Sequence, residues 1–188
     1  IYNLFGFTPE FYLATRPNDA LGDEKSWIQA EKALESALKE NKVKFELKPK
    51  DGAFYGPKID VHIKDALSRD WQLATIQLDL MMLPEKFNLH YIDQKGRKQR
   101  PMVIHRAIFG SFERFIGILI EHFAGALPLW LSPVQAEVIN VGAGQKKYAE
   151  KIFDTLKENG IRVRLSSENL TVSKRIREAE LQKIPYIL

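Results

Sequence analysis

The stretch that decides the fold is Ile104-His105-Arg106-Ala107-Ile108-Phe109-Gly110-Ser111-Phe112-Glu113-Arg114-Phe115-Ile116-Gly117-Ile118-Leu119. Its apolar residues recur at helical spacing, which predicts an amphipathic helix that extends to about Gly125 and ends before Pro128. The predicted apolar face consists of Ile108, Phe112, Phe115, Ile116, Leu119 and Phe123. The opposite face carries Gly110, Glu113, Arg114 and Gly117. Glycine costs a helix interior about 1 kcal/mol relative to alanine, so this face indicates a ligand close to the backbone. An ordinary solvent-facing helix side is the alternative.

The composition describes a globular chain with a real core. It has 188 residues, 45% of them hydrophobic, enough for one large domain or one and a half. The start of the chain has neither an initiator methionine nor a signal peptide, so we expect a fragment without an export signal. The absence of cysteine excludes disulfides and thiolate metal sites within the chain and favours a cytoplasmic location.

The charge pattern fits a polyanionic partner without identifying one. The formal net charge is +4, and most of the excess lies after Trp130, where 10 basic residues stand against 7 acidic ones. RNA is compatible with this skew, but many enzymes with neutral substrates are equally basic.

Consecutive strands dominate the region before the decisive stretch. A helix is predicted from Ser26 to about Asn41, with Asp23 or Ser26 as its cap. Alternating apolar and polar residues predict strands over 59–63 and 74–80, and further strands are expected over 87–91 and 101–104. Period-two strands in succession favour an antiparallel sheet.

A proline-bounded linker at 128–133 predicts the domain boundary, with one domain over 1–130 and another over 131–188. Beyond it, strand-like and helical segments alternate, which indicates a parallel α/β domain. The predicted strands cover 136–141, 161–165 and 185–188, and the predicted helices cover 145–159 and 173–182.

Three groups of residues could carry chemistry. The first is the turn over 54–58, where a Gly-Pro pair lies between Tyr55 and Lys58. The second is the row of hydrogen-bonding side chains Thr75, Gln77 and Asp79 on one face of a strand. The third is His105, placed where strand gives way to helix, since imidazole is a favoured zinc donor. Ordinary exposed turn residues, a solvated sheet face and a lone satisfied histidine remain open alternatives.

These segments occur in an order that resembles a known family. Residues 54–59, 71–79 and 105–115, followed by 121–125 and 128–134, are similar to the C-terminal part of class II aminoacyl-tRNA synthetases, most specifically the threonyl-tRNA synthetase family. The resemblance implies an α+β fold with a partial antiparallel class II catalytic sheet. It also implies a partial α/β anticodon-binding domain with a mainly parallel sheet.

The resemblance also implies an activity. A parent enzyme, a homodimer in this family, would use ATP to ligate threonine to tRNA(Thr) through a threonyl-adenylate, whereas the isolated piece would be inactive. Alternatives are a synthetase-derived paralogue that only binds RNA or a partner, and a prolyl- or seryl-tRNA synthetase.

By the same resemblance, most site residues are assigned to the catalytic sheet. The implied catalytic residues are Arg114, Tyr55 and Lys58. The implied threonine- and substrate-binding residues are Tyr55, Thr75, Gln77, Gln72 and Ser111, and the ATP-binding residues are Arg114, Gln72 and Gly110. Mg²⁺ would accompany ATP. His105 would be one ligand of a zinc ion whose other ligands belong to upstream segments. We therefore expect the His105 imidazole and the Arg114 guanidinium to face one cavity.

The resemblance assigns the tRNA anticodon to the C-terminal domain. Asn169 is the candidate for base recognition, and Arg164, Arg175 and Arg177 are candidates for phosphate contacts. Ordinary solvated surface charge is the alternative for each of these arginines.

Overall fold

The computed structural model describes residues 1–166 and 169–188, which form two compact units over 1–116 and 117–188. The strands and helices are β1 (Glu10–Ala14), α1 (Glu24–Glu40), β2 (Phe45–Lys48), β3 (Lys58–Lys64), β4 (Asp70–Asp79), α2 (Met82–Lys86), β5 (Tyr91–Ile92), β6 (Lys98–Gln99), β7 (Val103–Ala107), α3 (Phe112–His122), β8 (Ala136–Val138), α4 (Lys146–Glu158), β9 (Val163–Leu165), α5 (Val172–Leu181) and β10 (Tyr186–Ile187). None of the helices in the described ranges combines the length and apolar character that a membrane span requires.

Helix α1 begins where the sequence predicts it. The carboxylate of Asp23 accepts hydrogen bonds from the backbone N–H of Ser26 at 2.9 Å and from its hydroxyl at 2.6 Å, so Asp23 is the cap. The buried side of α1 contributes Ala30, Leu34 and Leu38 to the core. The core is completed by the sheet residues Leu13, Ile59 and Leu78. This helix therefore covers one face of the first sheet.

The first sheet has five strands in the order β2-β1-β3-β4-β7. The predicted antiparallel pairing is confirmed for β3 with β4 and for β4 with β7, and β1 also pairs antiparallel with β3. Strands β1 and β2 were not predicted from the sequence, and they pair in parallel with each other. Because side chains alternate across a sheet, the partners of Thr75 and Gln77 share one face with them, on the side opposite the core. We call this side the polar face; on β3, β4 and β7 it carries Lys58, Asp60, His62, Thr75, Gln77, Asp79 and His105.

Strand β4 contains a bulge at Leu73. Val61 pairs with Ala74, but His62 pairs with Gln72, which leaves Leu73 without a Cα partner on β3. An extra residue shifts the alternation of side chains by one position. Gln72 therefore reaches the polar face together with Thr75, although strict alternation would separate them.

The decisive stretch is not one continuous helix. Residues 103–107 form strand β7, and α3 begins only at Phe112. His105 consequently lies within a strand rather than at its end. Gly110 has a φ of +66°, a left-handed conformation suited to glycine, in the turn that joins the two elements. The prediction was wrong because hydrogen bonding to β4, a non-local interaction, determines the structure of residues 103–107.

The apolar face of α3 also differs from the prediction. Phe115, Ile118 and Leu119 are buried, whereas Phe112 and Ile116 are 78% and 52% exposed. The buried side of the helix is therefore rotated toward Ile118 and away from Ile116. Phe115 packs instead in an aromatic cluster with Phe5 and Phe109.

The predicted strand over 87–91 was wrong. Helix α2 ends at Lys86, and Asn88 adopts a left-handed conformation with a φ of +48°. Only Tyr91–Ile92 pairs, with Lys98–Gln99, in a short hairpin. The hairpin turn is held by the Asp93 carboxylate, which accepts hydrogen bonds from the backbone N–H groups of Lys95 and Arg97 at 2.9 Å each.

The second unit contains the predicted parallel sheet, whose strands lie in the order β10-β8-β9. Helices α4 and α5 accompany it, and the hydroxyl of Thr171 caps α5 at the backbone N–H of Lys174. Buried residues of this unit include Ala136, Val138, Ile139, Ala149, Ala179 and Ile184.

Candidate active site

The polar face brings together several residues that the sequence analysis selected from separate segments. Gln77 of β4 pairs with Lys58 of β3 on one side and with His105 of β7 on the other. Thr75 pairs with Asp60, one step further along the same face. Five polar side chains from three strands therefore share one surface.

Tyr55, Gln77 and His105 form the first cluster on this surface. The Tyr55 hydroxyl donates a hydrogen bond to Gln77 Oε1 at 3.0 Å. The Tyr55 ring lies beside the His105 imidazole, with 5.8 Å between the ring centroids and an angle of 38°. This bond uses the Gln77 carbonyl and leaves its amide N–H groups as donors for a ligand.

The turn over 54–58 is held tightly against the end of β4. The backbone N–H of Leu80 bonds the carbonyl of Tyr55 at 3.2 Å, and that of Leu78 bonds the carbonyl of Pro57 at 3.0 Å. A Cβ atom at Gly56 would lie 1.5 Å from the Leu78 carbonyl oxygen. Only glycine allows this close approach, which positions Tyr55 over the polar face.

His105 lies next to a fully buried carboxylate. Its Nε2 atom is 3.4 Å from Oδ2 of Asp79, is itself buried, and has no hydrogen-bond partner among the described residues. Asp79 is occupied by three backbone N–H groups, those of Met81, Met82 and Leu83, at 2.7 to 3.1 Å. A carboxylate beside an imidazole is a common neighbour of metal-binding histidines.

The residues in the described ranges do not form a zinc site by themselves. Catalytic zinc uses three protein ligands, and no group of three or more His, Cys, Asp or Glu side chains that could hold a metal occurs there. His105 supplies a single imidazole, and Asp79 is already bound to backbone N–H groups. We therefore derive no chemical step through zinc from these residues.

Asp60 is the centre of a second cluster. This carboxylate is 1% exposed and accepts hydrogen bonds from Lys58 Nζ at 2.6 Å, Gln72 Nε2 at 2.6 Å and Thr75 Oγ1 at 3.0 Å. Gln72 Nε2 also donates to Thr75 Oγ1 at 2.8 Å. Lys58, Gln72 and Thr75 were candidate site residues from the sequence, whereas Asp60 was not. The available signal was its place between Ile59 and Val61, which puts it on the side opposite the core.

Arg114 lies at the edge of the sheet, near the start of β4. Its guanidinium carbon is 5.5 Å from the centroid of the Trp71 ring, a cation–π contact. Its backbone N–H donates to Ser111 Oγ at 3.3 Å, so Ser111 caps α3. The Gly110 backbone lies close to β4, since a Cβ atom at Gly110 would be 3.5 Å from the Leu73 carbonyl oxygen. Trp71 directly precedes Gln72, which links Arg114 to the Asp60 cluster along the chain.

Trp71 is anchored by Asp65. The indole N–H donates to the Asp65 carboxylate at 2.7 Å, and Arg69 donates to the same group at 2.5 Å. Burial opposes ionisation of Asp65, but these bonds and the backbone N–H of Leu67 outweigh it and hold the pKa of Asp65 well below its usual value.

Two of the candidate anticodon residues are engaged within the second unit. Arg164 bonds the buried carboxylate of Glu137 at 2.5 Å and the Gln182 amide oxygen at 2.8 Å. Arg175 is only 7% exposed and its guanidinium donates to Asn140, at 2.7 Å to the carbonyl and 3.1 Å to the side chain. These contacts stabilise the unit and limit what either guanidinium can offer to a phosphate.

The other two candidates, Asn169 and Arg177, are exposed. Asn169 and Arg175 line a cavity of about 370 Å³ with Lys146, next to the carboxyl end of β9. This end of a parallel sheet is a frequent ligand site in α/β folds. Arg164 and Arg177 are not among the lining residues of this cavity in the part of the chain that the structure describes.

Comparison with known proteins divides the chain between two families. The family model for the tRNA synthetase class II core domain (G, H, P, S and T) matches residues 10–123. The family model for the anticodon binding domain matches residues 135–188.

Individual relatives carry consistent names. The threonine–tRNA ligase of Carboxydothermus hydrogenoformans is 52% identical over 187 residues, which are 100% of this chain and 29% of the relative. A solved RNA binding domain of threonyl-tRNA synthetase from Cryptosporidium parvum is 44% identical with a TM-score of 0.89, covering 100% of this chain and 47% of that one. The putative threonyl-tRNA synthetase ThrRS-1 of Aeropyrum pernix is 30% identical with a TM-score of 0.75, covering 94% and 42%. The chain thus spans about 29% of the length of the curated relatives that it matches.

Proposed function

Because this chain belongs to the class II core family of tRNA synthetases, we propose that it is part of an enzyme that ligates threonine to tRNA(Thr). The reaction consumes ATP and passes through a threonyl-adenylate. One structural observation carries the proposal: Tyr55, Gln77 and His105 lie on the same sheet face as the Lys58–Asp60 pair. Relatives about 50% identical over the whole chain are named threonine–tRNA ligases, which supports the choice of amino acid.

In the proposed first step, a carboxylate oxygen of threonine attacks the α-phosphorus of ATP. The new P–O bond forms as the bond to pyrophosphate breaks, giving threonyl-adenylate and pyrophosphate. Mg²⁺ bound with ATP would neutralise phosphate charge. Among the residues of this chain, Lys58 and Arg114 carry the positive charges suited to the phosphates, and Arg114 can also stack on the adenine.

The amino-acid end of the site is assigned to the Tyr55 cluster. The Gln77 amide donors and the Tyr55 ring would orient threonine, while Gln72, Ser111 and Gly110 belong to the ATP or tRNA end. The ligand role of His105 toward zinc stays a prediction that requires donors other than the described residues. A site that hydrogen-bonds a substrate hydroxyl rejects an analogue lacking it, so valine should be a poor substrate.

We assign anticodon recognition to the domain over 131–188, with the catalytic part over 1–130. Exposed Asn169 and Arg177 are the candidates for direct RNA contact, and Arg164 and Arg175 act mainly by shaping the surface around them. The proposal includes a homodimeric, cytoplasmic parent, as expected for an enzyme of this family.

Threonine-dependent ATP–pyrophosphate exchange in the intact protein that carries this chain tests the proposal. We expect exchange with threonine, weaker exchange with serine, which keeps the hydroxyl but lacks the methyl group, and little with valine or proline. Replacing Gln77 with alanine should lower kcat/KM for threonine by about a hundredfold, the loss typical of a misplaced substrate. Binding of tRNA(Thr) without any exchange would instead identify a paralogue that only binds RNA and would overturn the proposal.

A further inference from the structure

We infer that Asp60 is a positioning residue for the ATP end of the site, an inference that rests on the proposed function. Asp60 is 1% exposed, so it does not meet a ligand itself. It holds two residues assigned to that end, Lys58 and Gln72, together with Thr75, which is assigned to substrate binding. None of the site residues assigned from the sequence motifs is Asp60.

The two oxygens of Asp60 divide the cluster between them. Oδ2 accepts a hydrogen bond from the Lys58 ammonium at 2.6 Å, and the Lys58 side chain in this ion pair is 16% exposed. Oδ1 accepts from Gln72 Nε2 at 2.6 Å and from Thr75 Oγ1 at 3.0 Å. Charge-assisted hydrogen bonds of this length are the stronger kind, so both ends of the carboxylate are fixed.

These bonds decide which polar groups remain for a ligand. Thr75 has one hydroxyl proton, which it donates to Asp60, so it can only accept a further bond. Gln72 uses its Nε2 atom toward both Asp60 and Thr75, which leaves its carbonyl oxygen. Lys58 keeps two N–H donors and its charge. Asp60 therefore leaves the Lys58 ammonium and the Gln72 carbonyl oxygen side by side as the groups available to a ligand. The ammonium suits a phosphate, and the carbonyl oxygen suits a ribose hydroxyl.

Asparagine cannot reproduce this arrangement. Its side chain has one acceptor oxygen and one NH₂ group, whereas the cluster presents donors to both carboxylate oxygens. If the oxygen faces Lys58, the NH₂ group meets the Gln72 and Thr75 donors; if it is turned, the NH₂ group meets the Lys58 ammonium. Asp60→Asn therefore either releases at least one of the three residues or forces the Gln72 amide to turn over, which replaces the carbonyl oxygen offered to a ligand by an NH₂ group.

The test compares wild type, Asp60→Asn, Asp60→Glu and Thr75→Val in the intact protein by ATP–pyrophosphate exchange. We expect Asp60→Asn to lower kcat by roughly a hundredfold and to raise KM for ATP more than KM for threonine. Asp60→Glu, which keeps the charge, should recover at least tenfold of that loss. Thr75→Val retains the shape of the side chain but removes one donor to Asp60, so it should lower kcat by a smaller factor than the roughly hundredfold expected for Asp60→Asn. This variant keeps the inference testable if Asp60→Asn does not fold.

A double-mutant cycle separates positioning from simple destabilisation. If Asp60 acts through Lys58, adding Asp60→Asn to Lys58→Met should lower kcat by less than threefold. Asp93→Asn, the same change in the β5–β6 turn away from the cluster, should alter kcat and KM by less than twofold. Additive effects, or equal changes in both KM values, would overturn the inference.

A crystal structure of the intact Asp60→Asn protein distinguishes failure of the inference from failure of the proposed function. We expect the Lys58 or Gln72 side chain to move by more than about 1 Å while Tyr55 stays bonded to Gln77. Unmoved side chains would overturn the positioning role whatever the enzyme does. Absence of threonine-dependent exchange in the wild type, with the side chains moved, would overturn only the proposed function.

Discussion

Replacing Gly56 with alanine should damage both stability and activity. The added Cβ would lie 1.5 Å from the Leu78 carbonyl oxygen and 2.7 Å from its carbon, whereas real Cβ atoms stay beyond 3.0 Å. Backbone must move by about 1.5 Å, since neither contact is to a flexible side chain. That movement strains the bonds from Leu78 to Pro57 and from Leu80 to Tyr55.

The cost can be worked out from these contacts. Overpacking costs about 1–3 kcal/mol, and two lost hydrogen bonds add about 0.5–1.5 kcal/mol each, so the free energy of unfolding should fall by roughly 2–6 kcal/mol. Because the shift displaces Tyr55 and Lys58 by more than 1 Å, threonine-dependent exchange should fall by about a hundredfold in the protein that remains folded.

Urea unfolding of the chain and exchange by the intact protein would measure the two effects of Gly56→Ala. Gly117→Ala is the matched control, because a Cβ at Gly117 meets no atom of the described residues within 4 Å and lies in a helix. It should stabilise the chain by about 0.5–1 kcal/mol. A Gly56→Ala protein within about 0.5 kcal/mol of wild type and fully active would refute the packing argument.

Three further predictions concern stability. Leu34→Ala, in the buried face of α1, should lower the free energy of unfolding by about 2–5 kcal/mol in urea; a cost below about 1 kcal/mol would contradict the assigned core. The fold lowers the pKa of Asp65, so the stability that this carboxylate contributes is present above its unfolded pKa near 4 and is lost as the pH falls. The difference in free energy of unfolding between wild type and Asp65→Asn should therefore shrink in acid, and a difference independent of pH would contradict this prediction. Burial raises the pKa of Tyr2, whose hydroxyl donates to the Ile108 carbonyl, to about 12. The stability that Tyr2 contributes is therefore complete below pH 10 and declines as the pH rises to 12. In alkaline unfolding measurements Tyr2→Phe should remove this decline, and an unchanged decline in the variant would disprove the assignment.

Local signals predicted much of the fold. The apolar spacing of α1 and the Asp23 cap are contained within one short segment, and so are the alternating residues of β3 and β4. The start of α3 was missed although a local signal exists. Ser111 precedes the helix and caps it, which would have placed the boundary at Phe112.

Non-local pairing explains the remaining differences. Residues 104–108 fit helical spacing, but pairing with β4 makes 103–107 a strand. The bulge at Leu73 depends on the register between β3 and β4, which no single segment specifies. Gln72 and Thr75 meet at Asp60 only because of that bulge, so the sequence could supply the candidate residues but not the carboxylate that joins them.

The central claim is that the polar face holds the adenylate between the His105 and Arg114 ends of the site. A crystal structure of the intact protein with a non-hydrolysable threonyl-adenylate analogue tests it most directly. We predict the amino-acid end beside Tyr55, Gln77 and His105, and the adenine against Arg114. An analogue bound elsewhere, or His105 and Arg114 facing separate cavities, would contradict it.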